Sequence, residues 1–224
     1  MEKIHIYFVP GMAANSKIYE YLTLDKSLFE CHFLEWKIPL SRDESIESYA
    51  QRMCEDISHK NPILIGVSFG GVMVQEMSKI IATKEVIIIS SIKNNKELPK
   101  RLKLVEKTKV YKLFPAKFIE NIDTYINLFL RDYQKKKLEA YKRYMSVRNS
   151  DYLHWAIVTI LHWQQSESFE NIVHIHGTRD EVFPIKHISN SIEIENGTHA
   201  MIITKAKKIS SIISDTLTCN LATD

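Results

Sequence analysis

Cysteine is scarce in this chain. Its 224 residues carry three, Cys31, Cys54 and Cys219. The number is odd and no two have the spacing of a metal-ligand pair, which argues against a disulfide framework and for a reducing compartment. A large excess of charge of one sign is also missing. A formal net charge of +3 offers little to nucleic acid, and no basic run carries the interleaved aromatics of a recognition module. No apolar run approaches the length of a membrane span. The opening Met1-Glu2-Lys3-Ile4-His5-Ile6 has no basic region ahead of a long apolar stretch, so it reads as a core strand rather than a signal peptide. Repeats, low-complexity segments and linkers are missing too. A cytoplasmic protein is expected, with no nucleic-acid partner and no membrane span.

What is present is the composition of a folded globular protein: 45% hydrophobic and 25% charged residues. The length suits one domain over residues 1–224. Short apolar runs alternate with helical patterns, the mark of a parallel sheet with crossover helices. Strands are expected at 4–9, 31–36, 63–65, 86–89, 172–176 and 192–195. The last of these alternates apolar and charged residues, which suits a strand at the sheet edge with one wet face. Helices are expected at 16–24, 45–57, 72–81 and 205–217. Between the fourth and fifth strands, residues 93–165 show helical periodicity, many aromatics and no clear strand. They read as a helical cap inserted into an α/β domain of about six mainly parallel strands.

Gly66-Val67-Ser68-Phe69-Gly70 matches G-x-S-x-G, and it stands between the apolar run Ile63-Leu64-Ile65 and a helical pattern. In a nucleophile elbow the serine occupies a strained strand-to-helix turn, and glycines on either side let backbone approach backbone. Two later segments supply partners. Ile175-His176-Gly177-Thr178-Arg179-Asp180-Glu181-Val182-Phe183-Pro184 places a carboxylate just past a strand. Asn196-Gly197-Thr198-His199-Ala200-Met201 places a histidine in a loop near the C-terminus.

From Ile4 to the last helix the chain resembles the α/β-hydrolase superfamily. The resemblance implies a nucleophile–acid–histidine order: Ser68 as nucleophile, Asp180 as acid and His199 as base. Glu181 stands next to Asp180 as an alternative acid. The 19 positions from Asp180 to His199 leave room for a short helix and the final strand. The resemblance also implies an oxyanion hole made by the backbone N–H groups of Phe69 and Met12. Many members carry histidine where this chain has Pro10 and Val67, and neither change removes a backbone donor. No cofactor is implied. His174 and His176 share one strand face, but paired carboxylates are missing, so no metal is expected.

The cap holds Phe114, Phe118, Tyr125, Phe129, Tyr133, Tyr141, Tyr144, Tyr152, Trp155 and Trp163. Residues 152–163 are apolar nearly all round, so a helix there must be buried on more than one side. One side could roof a substrate pocket, with Trp155 in its wall, or all of it could be core. The cap also opens with nine basic residues against two acidic ones between Lys93 and Lys117. That stretch reads as a solvated face, with attraction of an anionic substrate as the alternative. The expected activity is hydrolysis of a small or medium ester or thioester. An acyltransferase, a lyase, or a binding module on the same fold are the other readings.

Overall fold

Six runs of β-forming residues become six strands in the computed structural model, which describes residues 3–108, 143–166 and 172–221. They are β1 (Ile4–Val9), β2 (Phe29–Phe33), β3 (Ile63–Val67), β4 (Glu85–Ile89), β5 (Ile172–Gly177) and β6 (Ile192–Ile194). They lie in the order β2-β1-β3-β4-β5-β6, and every neighbouring pair is parallel. The central strands β3 and β4 are made almost wholly of Ile, Leu and Val, apart from Gly66 and Glu85, because helices cover both faces. The edge strands are polar on one side, as the alternation in 192–195 leads one to expect.

The described helices are α1 (Ile46–Cys54), α2 (Phe69–Ser78), α3 (Lys100–Thr108), α4 (Ser150–His162), α5 (Met201–Thr204) and α6 (Ala206–Leu221). One face of the sheet packs against α1, α2 and α4 through Tyr49, Met53, Val72, Met73, Trp155 and Leu161. The other packs against α5 and α6 through Ile202, Ile209, Ile213 and Leu217. Side-chain caps set several helix starts. Ser45 accepts the Ser48 N–H, and Asn149 accepts the Tyr152 N–H.

Two expected elements differ. The second strand is Phe29–Phe33 rather than 31–36. Leu34 and Trp36 are apolar because they fold in over the sheet, and the Trp36 indole N–H donates to the Gly11 carbonyl at 3.0 Å. The expected helix at 16–24 is a single 3-10 turn, Ser16–Tyr19, capped by Asn15. Ile18 and Tyr19 are buried, and Thr23 N–H is held by Ser210 Oγ at 2.9 Å, which uses the backbone that a longer helix would need.

Of the expected cap, α3 and α4 are described, while Phe114, Phe118, Tyr125, Phe129, Tyr133, Tyr141, Lys109, Lys112 and Lys117 lie outside the described residues. The three cysteines are free thiols. No described helix is long and apolar enough to cross a membrane.

Candidate active site

A parallel sheet brings all its carboxyl strand ends to one edge, and loops leaving that edge share one crevice. Here those ends deliver Met12 after β1, Ser68 after β3, Asp180 after β5 and His199 after β6.

Ser68 sits at φ 54°, ψ −120° between β3 and α2. That conformation costs an L-residue on the order of 1–3 kcal/mol and persists only where surroundings impose it. Three bonds do so. Ser68 N–H donates to the Ile89 carbonyl at 2.9 Å, and its own carbonyl accepts Gly71 N–H at 2.9 Å and the Ser91 hydroxyl at 2.7 Å. The flanking glycines are needed for close approach. A Cβ on Gly66 would stand 2.2 Å from the Gly70 carbonyl oxygen, and one on Gly70 would stand 2.3 Å from that of Val9.

Ser68 Oγ lies 2.9 Å from His199 Nε2, and His199 Nδ1 lies 2.9 Å from Asp180 Oδ2. All three residues are buried. An ionised carboxylate only accepts, so His199 donates from Nδ1 to Asp180 and keeps the Nε2 lone pair for the Ser68 hydroxyl. The other carboxylate oxygen, Oδ1, accepts the N–H groups of Val182 at 2.8 Å and Phe183 at 2.9 Å. Glu181, the alternative acid, is exposed.

The acid and histidine loops are bonded to each other. Arg179 N–H donates to the Gly197 carbonyl at 2.8 Å, and Thr178 N–H donates to that of Ile194 at 3.1 Å. Behind Asp180 lies a buried histidine pair. His176 Nε2 donates to the Phe183 carbonyl at 2.8 Å, so its Nδ1 accepts from His174 Nε2 at 3.1 Å. Burial is the main force holding both rings below the usual histidine range, and His174 is pushed down to about 2. Both stay neutral, and the Asp180 charge is left to His199.

Met12 is buried in the loop after β1. Two of that loop's carbonyls are held by other partners: the Trp36 indole N–H donates to Gly11, and the Val147 N–H donates to Ala13. Phe69 is the first residue of α2, so its N–H has no acceptor inside the helix and carries the positive end of the helix dipole.

No family model matches the chain, and no curated protein matches it in sequence. Solved structures do resemble it. MenH from S. aureus superposes with a TM-score of 0.71 at 15% identity, over 97% of this chain and 95% of that one. An esterase from Exiguobacterium antarcticum gives 0.65 at 13% identity, over 97% and 92%. A Bacillus megaterium epoxide hydrolase gives 0.64 at 12% identity, over 97% and 94%. The chain has the α/β-hydrolase fold.

On this α/β-hydrolase fold Trp155 does not take the place expected for it. It is a core residue: its ring stacks on Tyr49 at 4.0 Å, its N–H donates to the Glu44 carbonyl at 2.8 Å, and it meets Phe69 in an edge-to-face contact at 5.8 Å. A helix apolar all round satisfies both readings of residues 152–163, and packing against α1 took this side of it. The basic start of the cap is also partly structural. Lys93 is buried, with Nζ donating to the Ser189 and Asn190 carbonyls, and Arg101 donates to the Glu181 carbonyl at 2.6 Å.

No sequence motif points to Ser91, which grips the elbow from just past β4, or to Glu97. The Glu97 carboxylate accepts Lys93 N–H at 2.7 Å and Ser189 N–H at 3.1 Å, tying the segment after β4 to the loop before β6. No short motif marks Glu97, because its role rests on burial that the sequence does not display.

Proposed function

We propose that this chain is a serine hydrolase that cleaves a small or medium ester or thioester through an acyl-enzyme. The observation that carries the reading is the unbroken line from Ser68 Oγ through His199 to Asp180, with 2.9 Å at each link. Ser68 attacks the carbonyl carbon as His199 Nε2 takes its proton. Asp180 keeps the imidazole in the required tautomer and stabilises the cation that forms. The Phe69 and Met12 N–H groups hold the oxyanion. His199 returns the proton to the leaving alcohol or thiol, and then activates a water that releases the acid. Residues 93–165 form a cap over this edge in the same proposal, and the partner is a small ester-like molecule.

Labelling with a fluorophosphonate tests it. One equivalent should attach to Ser68, and Ser68→Ala should remain folded, unlabelled and without esterase activity. Labelling of another serine in the wild type would overturn the reading. A panel of chromogenic esters of graded chain length, together with acyl-CoA thioesters, then defines the acyl group.

A further inference from the structure

The end of the sheet opposite Ser68 carries a second cluster of chemically capable side chains. The parallel register of β1 and β2 sets His5 opposite Glu30 and Tyr7 opposite His32. Side chains alternate along a strand, so all four project from one face, and Tyr7 packs there into the core under α1 and α2. α1 ends at Cys54, and the chain returning to β3 brings His59 over the same face. One ring nitrogen from each of His5, His32 and His59 lies within 4.8 Å of the others. His5 Nδ1 and His32 Nε2 are 3.1 Å apart, and the His5 and His59 rings stack with centroids 3.4 Å apart. All three are half-buried.

We propose that His5, His32 and His59 form a binding site for one divalent transition-metal ion of the zinc class. Imidazole nitrogens suit zinc, nickel and copper and discriminate against magnesium and calcium. Metal–nitrogen bonds in a tetrahedral zinc site put neighbouring ligand nitrogens about 3.3 Å apart. The His5–His32 pair already stands near that spacing. In the metal-free chain one of these nitrogens must donate a proton to the other. Each neutral ring can instead carry its single proton on the outer nitrogen and turn its inner lone pair to the ion, so no net proton has to leave.

The third ligand comes with its own support. Tyr7 Oη lies 2.7 Å from His59 Nδ1, and it also accepts the Ser58 N–H at 3.2 Å. With Nδ1 held there, His59 has Nε2 to offer, and a small rotation out of its stack on His5 turns it toward the other two. Such outer hydrogen bonds fix the orientation of metal-bound histidines. The Tyr7 ring stacks on His32 with centroids 4.5 Å apart, which holds the second ligand. The Glu30 carboxylate, 4.0 Å from His5 Nδ1, places a negative charge beside the ion and can complete the coordination in competition with water.

The site is separate from the triad. Ile6 pairs with Ile63, so His5 is level with the residue six positions before Ser68, roughly 20 Å away along the strand. An ion here would clamp the loop after α1 to the outer pair of strands, and its effect should be on stability.

The full chain, stripped with a chelator and exchanged into metal-free buffer, is titrated with ZnCl2 by calorimetry and with CoCl2 by visible absorption. One equivalent of each should bind. The cobalt complex should show the strong d–d bands of a four- or five-coordinate site, and zinc should raise Tm. His32→Ala and His59→Ala should each weaken zinc binding at least ten-fold, and His59→Ala changes only a loop and leaves the strands intact. His162→Ala, at the exposed end of α4, should bind as the wild type does. No binding by the wild type, or binding that survives both His32→Ala and His59→Ala, would overturn the proposal. Neither result bears on Ser68.

Discussion

His199 Nδ1 and Asp180 Oδ2 lie 2.9 Å apart in a buried contact that joins the loops after β5 and β6. The carboxylate has no freedom there. Its second oxygen is fixed by two backbone N–H groups, and the residue that supplies one of them, Phe183, is tied through its carbonyl to His176. The His199 ring is therefore oriented by a carboxylate that two backbone N–H groups hold in turn.

Asp180→Asn should lower kcat by about 10⁴, because an amide can present N–H to His199 and favour the wrong tautomer. Glu181→Gln should leave kcat within about two-fold, since that side chain is exposed and takes no part in the network. Steady-state kinetics on one ester checks both. Reversed effects would move the acid to Glu181.

Activity on neutral esters should rise with pH through one ionisation and then level off. The sign follows from the base: a protonated Nε2 has no lone pair for the Ser68 hydroxyl, so the acid form is inactive. A kcat/KM profile should show this limb in the wild type and in His176→Ala. His199→Ala should lack turnover at every pH. Measurable turnover in His199→Ala with the acid limb unchanged would mean that another group is the base.

Much of this arrangement was legible in the sequence because its parts are local. The elbow, the acid loop and the histidine loop are each short runs with strand signals beside them, and a parallel sheet then gathers them without further information. What was not legible depends on register or on the direction a side faces. His5 and His32 are 27 residues apart and meet only because β2 pairs with β1 in one particular register. No local metal-ligand spacing marks them in the sequence. Trp155 was ambiguous for a related reason, since an all-round apolar helix does not say which side meets the core. Leu34 and Trp36 looked like strand because burial by folding over a sheet and burial within one leave the same apolar residues.

Ser91→Ala removes the hydroxyl that donates to the Ser68 carbonyl at 2.7 Å. The elbow's unusual backbone then loses one of its three restraints. kcat should fall on the order of ten-fold with KM nearly unchanged. Stability should fall by about 1–2 kcal/mol, the loss expected for a buried hydrogen bond. The split between kcat and KM is the useful reading. A stability loss with normal kcat would make Ser91 a packing residue only.

Acid should destabilise the fold through the histidine pair behind Asp180. Burial, helped by His176 and Lys93, pushes His174 down to about 2. In the unfolded chain the same ring takes a proton below its ordinary value of about 6.5. Between those limits the unfolded state binds more protons, so stability is fully present above about 6.5 and falls as pH drops below it. One such group contributes a slope of about 1.4 kcal/mol per pH unit. His176, also held low by burial, adds to it. Urea unfolding of the wild type at pH 7, 6 and 5 should show the decline. His174→Leu cannot take up that proton in either state, so its stability should fall less steeply over the same range, by up to one proton's worth of slope. The variant's starting stability does not enter, because the comparison is between slopes. Equal slopes in the two proteins would mean that His174 is not held neutral by the fold.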